Sequence, residues 1–220
     1  MIDFMLKAVI FDIDGVLIDS YQAHFESWAA LAAEHGIQIT REAFAQSFGR
    51  TSRDIIGLWW GQGLDDAKVT AMDDRKEALF RQVIEADFPA MTGALELIDA
   101  LAQAGFALAV GSSGPPENVD LVMAKLGRQS LFGAQVTGMD VTRGKPDPQV
   151  FQIAAQKLHI EPSHCAVIED APAGVRAANA AQMRSIALTG TAPRELLADA
   201  NLIVDSLTEL SPEKISALIG

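Results

Sequence analysis

Residues 7–20 read KAVIFDIDGVLIDS. Ala8–Phe11 are four apolar residues in a row, and the run stops at Asp12. Asp14 follows two positions later, then Gly15, then a second apolar run that ends at Asp19. A short apolar run bounded by polar residues is the pattern of a strand buried on both faces, as in a parallel sheet. Ending such a strand in two carboxylates one residue apart sets like charges side by side. That is unfavourable unless a positive charge stands nearby.

Similar runs recur down the chain: FALAV at 106–110, AQV at 134–136, CAVI at 165–168, SIAL at 185–188 and LIV at 202–204. Most are bounded by Gly, Asp or Ser, and their lengths suit buried strands. Helical patterns lie between most of them. ALELIDALAQAG places Ala94, Ile98, Leu101 and Gly105 at helical spacing, with Gly105 as the stop. KPDPQVFQIAAQKL starts a helix with Asp147 as the expected N-cap and Pro148 in the first turn. Strand and helix in alternation predict an α/β fold with a parallel sheet.

Tyr21–Phe88 breaks the alternation. YQAHFESWAALAAEHG puts Phe25, Trp28, Ala29 and Ala32 on one helical face, with Gly36 as its stop. REAFAQSFG, SRDIIGLWW and AKVTAMDDRKEALFRQVIEA also read as helices, and no strand pattern interrupts them. A crossover normally holds one helix, so four imply a helical insertion at the mouth of the core. The expected division is 1–18 with 90–220 as the α/β core and 19–89 as the insertion. Trp28, Trp59 and Trp60 are expected in the insertion's own core, and Asp19 as the cap of its first helix.

Composition narrows the function. At 220 residues and 49% apolar, the chain can bury a substantial core. Its net charge of -12 argues against nucleic acid and anionic membranes as partners, since both call for a basic face. MIDFML at 1–6 is short and carries Asp3, so it does not read as a signal peptide. No apolar stretch approaches the roughly 20 residues that span a bilayer. The lone Cys165 reads as a small buried filler, in keeping with a reducing, cytoplasmic setting.

In an open parallel sheet, ligands bind beyond the carboxyl ends of the strands. After the first strand come Asp12, Asp14 and Gly15; after the second, Ser112; after the third, Lys145; after the fourth, Glu169 and Asp170. Acids, a hydroxyl and an amine on one edge suit phosphate chemistry with a hard cation. Mg²⁺ takes oxygen ligands, usually one or two carboxylates with water and phosphate. Such an ion neutralises Asp12 and Asp170, Lys145 adds a second positive charge, and Gly15 lets the chain turn after the acids.

DIDGVLIDS, GSSG, GKPDP and IEDAPAGVRAA, in this order and spacing, resemble the four motifs of the haloacid dehalogenase-like superfamily. The insertion after the first motif resembles its helical-cap subclass, which includes β-phosphoglucomutase and small sugar- and polyol-phosphate phosphatases. The resemblance covers essentially the whole chain and implies a Rossmann-like, doubly wound parallel sheet with an α-helical cap. It implies Asp12 as the nucleophile and Asp14 as the general acid/base. Mg²⁺ would be held by the Asp12 carboxylate, the Asp14 backbone carbonyl and Asp170, with Glu169 acting through a metal-bound water. Ser112 and Lys145 would hold the phosphoryl oxygens, with Ser113 beside them. The second acid, Asp14, argues against dehalogenation, which needs neither it nor a metal.

Relatives read the substrate with a cap loop, here FGRTSRD, with Gly49, Arg50, Thr51, Ser52 and Arg53 between two helices. Arg50 or Arg53 could grip a second anionic group; the alternative is a surface loop that carries two arginines. His24 resembles a histidine near the leaving group, against a plain half-buried histidine. Lys76 resembles a cap lysine that faces the site. Glu169 is open between metal shell and strand-end structure.

The expected activity is Mg²⁺-dependent hydrolysis of a small phosphate monoester, of sugar, polyol or glycolate type, by a monomer. The alternatives are a β-phosphoglucomutase-type phosphotransferase and, behind it, a silent phosphate-binding regulator. The first motif of the mutases typically reads D-x-D-G-V-[IL]-T-D, with Thr where this chain has Ile18. Their cap loop resembles K-G-[VI]-S-R, where this chain has Phe48 in place of the lysine. AVGSSGPP resembles the phosphatases, while DGVLIDS and HFESW resemble the mutase.

Overall fold

The structure is a computed structural model that describes residues 6–220, so the signal-peptide reading, which turns on Asp3, lies outside the described residues. The chain divides into two compact units, one of residues up to Asp19 together with Pro89–Gly220, the other Ser20–Phe88.

The first unit is built on six strands among the described residues: β1 (Ala8–Phe11), β2 (Ala107–Gly111), β3 (Phe132–Val136), β4 (Cys165–Glu169), β5 (Arg184–Leu188) and β6 (Leu202–Val204). All pairings are parallel and the order is β3-β2-β1-β4-β5-β6. β1 is buried along its whole length, as its unbroken apolar run requires of a central strand. The second strand starts one residue later than FALAV, and the third begins at Phe132, before AQV.

Register places the chemistry. Phe11 stands opposite Val110 on one side and Ile168 on the other. The next residues along are therefore Asp12, Gly111 and Glu169, and the Asp12 amide still donates to the Ile168 carbonyl at 3.0 Å. The chain winds from β1 to β2 and β3 on one side, then returns to β4 on the other. Such a reversal opens a crevice at the carboxyl ends of β1 and β4.

The helices of the two units run in chain order as α1 (Tyr21–Glu34), α2 (Arg41–Ser47), α3 (Ser52–Trp60), α4 (Asp66–Ala86), α5 (Ala94–Gln103), α6 (Pro116–Leu126), α7 (Gln149–Leu158), α8 (Pro172–Ala180) and α9 (Pro212–Ile219). In the α/β unit, α7 packs against β1, β2 and β3, and α8 against β4 and β5. Ile10, Ala109, Val136, Phe151, Ala154 and Val167 form one buried cluster there, joined by Cys165, the expected filler. Removing the Phe151 ring from such a packed site costs about 3–5 kcal/mol. α7 begins at Gln149, with Pro148 at the cap position; Asp147 lies one residue further out, where its carboxylate accepts from the Gln149 amide at 3.0 Å. An amide two residues on is within the ordinary reach of a capping carboxylate, and the missing N–H of Pro148 costs nothing at the start of a helix.

The second unit, Ser20–Phe88, is formed among the described residues by α1–α4 around Trp28, Leu31, Phe44, Ile55, Ile56, Val69, Met72 and Leu79. Trp59 and Trp60 pack against this cluster. The inner face of α1 is Ala23, Ser27, Trp28, Leu31 and Ala32, while Phe25 and Ala29 are half-buried at its margin. The buried face thus lies part of a turn away from the expected stripe. Ser20, not Asp19, stands at the N-cap of α1, and Asp19 is exposed. Thr40, Thr51 and Asp65 cap α2, α3 and α4, each accepting from the amide three residues on. The Thr51 cap shortens the α2–α3 loop to 48–51 and places Ser52 and Arg53 in the first turn of α3, not in the loop.

Candidate active site

Three strand ends and the loop that carries Lys145 meet at the crevice. Lys145 Nζ donates to Asp12 Oδ1 at 2.6 Å, to Glu169 Oε1 at 2.7 Å and to the Gly111 carbonyl at 3.2 Å. The other oxygen of Glu169, Oε2, accepts from the Asp170 and Ala171 amides at 2.9 and 2.8 Å. Glu169, only 1% exposed, therefore braces the lysine on one side and the β4–α8 turn on the other. Ser112 is buried, and its Oγ accepts from the Gly114 amide at 3.0 Å. That bond uses a lone pair and leaves the hydroxyl hydrogen available to a ligand. Ser113 is exposed.

Asp14 lies in the tight turn after Asp12. The Gly15 amide donates to the Ile18 carbonyl at 2.9 Å, and the Leu17 amide to the Ile13 carbonyl at 2.8 Å. Gly15 has φ +72°, and a Cβ there would overlap the Asp170 carboxylate. Only glycine meets both demands. Gly174 in α8 has a related reason: a Cβ would overlap the Glu169 carboxylate.

Charge in this group is unbalanced. Burial pushes Asp12 up to about 7, helped by the negative charges of Glu169 and Asp14 and opposed by Lys145. Burial, then Glu169 and Asp12, also hold Asp170 well above the carboxylate range. Burial alone would lower Lys145, but Asp12 and Glu169 more than offset it, so the lysine stays charged. One carboxylate oxygen from each of Asp12, Glu169 and Asp170 lies within 4.8 Å of the others. Three buried carboxylates around one lysine leave negative charge uncompensated. Oxygen donors in that setting fit a hard divalent cation.

The sequence model of haloacid dehalogenase-like hydrolases matches residues 6–182, which span all four motifs. The chain belongs to the haloacid dehalogenase-like hydrolases.

Relatives of this haloacid dehalogenase-like hydrolase include validoxylamine A 7'-phosphate phosphatase of Streptomyces hygroscopicus subsp. limoneus, 34% identical over 94% of this chain and 96% of that one. Hexitol phosphatase A of Escherichia coli strain K12 is 32% identical over 94% of each. The crystal structure of β-phosphoglucomutase from Clostridium difficile superposes with a TM-score of 0.84 at 26% identity, covering 98% of this chain and 97% of that one. The chain is an enzyme of the phosphatase kind. No helix among the described residues is long and apolar enough to cross a membrane.

The candidates in the hydrolase's helical unit fall into two groups. His24 on α1 and Lys76 on α4 are together: Lys76 Nζ lies 3.0 Å from His24 Nδ1 and donates to Glu77 at 2.7 Å. Lys76 is 3% exposed, lies over the rings of Trp28 and Phe80 at 5.6 and 5.2 Å, and His24 stacks on Phe80 at 4.4 Å. Gly49, at φ +84°, and Arg50 are exposed in the α2–α3 loop, and Arg53 is exposed and paired with Asp66 at 2.9 Å.

Thr191 is the residue that sequence reasoning missed. It stands after β5, outside the four motifs, and a Cβ on Gly15 would stand 2.8 Å from its Oγ1 as well as overlapping the Asp170 carboxylate. Extending the strand-end rule from the fourth strand to the fifth would have found it.

Proposed function

We propose that the protein is a Mg²⁺-dependent phosphatase of small sugar- or polyol-type phosphate monoesters that works through an aspartyl phosphate. The observation that carries this reading is the Asp12 carboxylate, held by Lys145 at the end of β1 beside a cluster of buried acids. The names of the relatives support the substrate class.

In the first step Asp12 attacks phosphorus, a new O–P bond forms, and the ester P–O bond breaks. Asp14, as the acid, gives its proton to the departing alkoxide. In the second step Asp14, now a carboxylate, takes a proton from water as that water attacks the phosphoryl group. Asp12 and inorganic phosphate are released. Lys145 and the free hydrogen of Ser112 bind the phosphoryl oxygens, where charge gathers in the transition state. Asp12, the Asp14 carbonyl and Asp170 would hold Mg²⁺, with Glu169 fixing Lys145 and the turn. The ion supplies the positive charge that keeps Asp12 ionised and neutralises the phosphoryl oxygens. In the helical unit, Arg50, Arg53, His24 and Lys76 are the candidates for reading the rest of the substrate.

Phosphate release from a panel of hexitol, hexose, pentose and glycolate phosphates, with and without Mg²⁺, tests the proposal. Mg²⁺-dependent turnover of a polyol or sugar phosphate is expected. No release from any member would overturn it.

The likeness to β-phosphoglucomutase favours a second reading, transfer to a sugar. Against it, Ile18 is a fully buried hydrocarbon in the turn that carries Asp14 and offers no hydroxyl to control that acid. Incubation with β-glucose 1-phosphate and catalytic glucose 1,6-bisphosphate separates the two. Glucose 6-phosphate appearing much faster than free phosphate would establish the mutase.

A further inference from the structure

We propose that Gln149, the first residue of α7, is a positioning residue that holds the Lys145 loop where its Nζ can grip a phosphoryl group. The inference rests on the role of Lys145 proposed above and adds a residue that lies just past the GKPDP motif.

The loop has little apolar surface to hold it. Thr142, Arg143, Gly144 and Pro146 are exposed, while the Lys145 side chain is 10% exposed. Val141 packs at the margin of the buried cluster before the loop, and Val150 and Phe151 are buried after it. Between those anchors the Gln149 side chain ties the loop down. Its Oε1 accepts from the Thr142 amide at 2.9 Å, from the Arg143 amide at 3.0 Å and from Thr142 Oγ1 at 3.2 Å. Asp147 closes the loop from within. Its amide donates to the Gly144 carbonyl at 3.0 Å, and its Oδ2 pairs with Arg143 Nε at 2.9 Å. That pair is the weaker support, because the Arg143 side chain is 71% exposed.

Gln149 opens a helix that is itself fixed. α7 packs against β1, β2 and β3. Phe151, two residues on, is fully buried, and Lys145 Nζ lies 4.9 Å from the centre of its ring. Gln149 thus refers the loop to the sheet whose strand ends present Asp12 and Glu169, the two carboxylates that Lys145 bridges. A lysine on its four-carbon stem is a flexible donor. Its charge counts most toward the rate when it is already in place as negative charge gathers on the phosphoryl oxygens. Without the Gln149 oxygen, the Thr142 and Arg143 amides turn to water and the loop backbone gains freedom. The substrate must then order Lys145 itself, which slows the reaction.

Gln149→Leu removes the acceptor; Gln149→Glu keeps an acceptor oxygen at the same reach. In Gln149→Leu the amide hydrogens of Thr142 and Arg143 should exchange at least about fivefold faster, measured by nuclear magnetic resonance. On the best phosphate ester of the panel, well below the melting temperature, its kcat should fall roughly 5- to 20-fold while KM changes less than about threefold. Gln149→Glu should stay within about twofold of the wild type in exchange, kcat and KM, since the acceptor remains. A merely structural residue would lower the melting temperature and leave the kcat of the folded enzyme unchanged. Faster exchange with unchanged kcat in Gln149→Leu therefore overturns the positioning role, as does an equal loss of kcat in both variants. Unchanged exchange in Gln149→Leu overturns the clasp itself. Those outcomes leave the phosphatase reading standing. A wild-type protein that hydrolyses no ester of the panel overturns that reading, and with it the role of Gln149 in catalysis.

Discussion

The α/β unit and the helical unit hold their polar candidates in different ways. In the first, Asp12, Glu169, Asp170 and Lys145, separated by up to 158 positions in sequence, form one buried and cross-bonded group. In the second, His24 and Lys76 are buried together against Trp28 and Phe80, while Arg50 and Arg53 face solvent. The sheet explains the contrast. Parallel register brings every strand end to one edge, whatever the sequence distance. Helices packed through apolar stripes constrain their inward faces and leave loops and outer faces free to vary. Under the proposed function this separates invariant phosphoryl chemistry from adaptable recognition.

The largest effect that could break this division is at Asp12, the proposed nucleophile. Asp12→Asn should lower turnover by on the order of a thousandfold or more, because an amide is a poor nucleophile. Thermal melting should shift by only a few degrees. Turnover within tenfold of the wild type would remove the core group from the chemistry. Next in size is loss of the proposed cation: EDTA and dialysis should reduce turnover about 100-fold or more, and Mg²⁺ should restore it. Full activity after exhaustive dialysis would mean that the three acids serve structure alone.

Two glycines set the units against each other directly. In Gly174→Ala the new Cβ meets the Glu169 carboxylate, which cannot withdraw without releasing Lys145 and two amides. A loss of about 1–3 kcal/mol in denaturant unfolding is expected, with turnover down roughly tenfold. In Gly57→Ala, within α3, the neighbour is the amide end of Gln62 at 2.8 Å, which can rotate away. That change should be neutral or stabilising by up to about 1 kcal/mol, from helix propensity. Equal losses at the two positions would show that the units are equally constrained.

The smallest stability effects belong to the exposed arginines. Arg50→Ala and Arg53→Ala should each change stability by less than about 0.5 kcal/mol, since the Arg53–Asp66 pair lies in solvent. They should raise KM for some substrates by several-fold, up to about tenfold, with kcat for the best substrate less affected. An unchanged KM across the substrate panel would take the α2–α3 loop out of recognition.

Several misreadings share one cause. Periodicity predicts an α1 stripe through Phe25, Trp28, Ala29 and Ala32, yet Leu31 is buried while Phe25 and Ala29 are marginal. Periodicity gives a helix an apolar side but not the angle at which neighbours meet it. Asp19 carried the right residue type for a cap, but the helix begins one residue later, and Ser20 holds the position without a side-chain bond. Cap chemistry names good candidates; backbone dihedrals choose among them. Thr191 sits in ALTGTAP, where no spacing singles it out. Its place beside Gly15 and the Asp170 carboxylate arises only across the sheet edge.

What the chain determined locally was therefore considerable: six apolar runs, the turn chemistry that ends them, and reactive residues at the first four strand ends. Each depends on neighbours within a few positions, where sterics and hydrophobic periodicity act directly. Only the tertiary structure decided that one lysine would bridge Asp12 and Glu169 while the Asp170 carboxylate stood over Gly15. It also decided that carboxylates would occupy the Cβ positions of Gly15 and Gly174. Those outcomes depend on the lateral order and register of β1, β4 and β5, which are set by packing over the whole sheet.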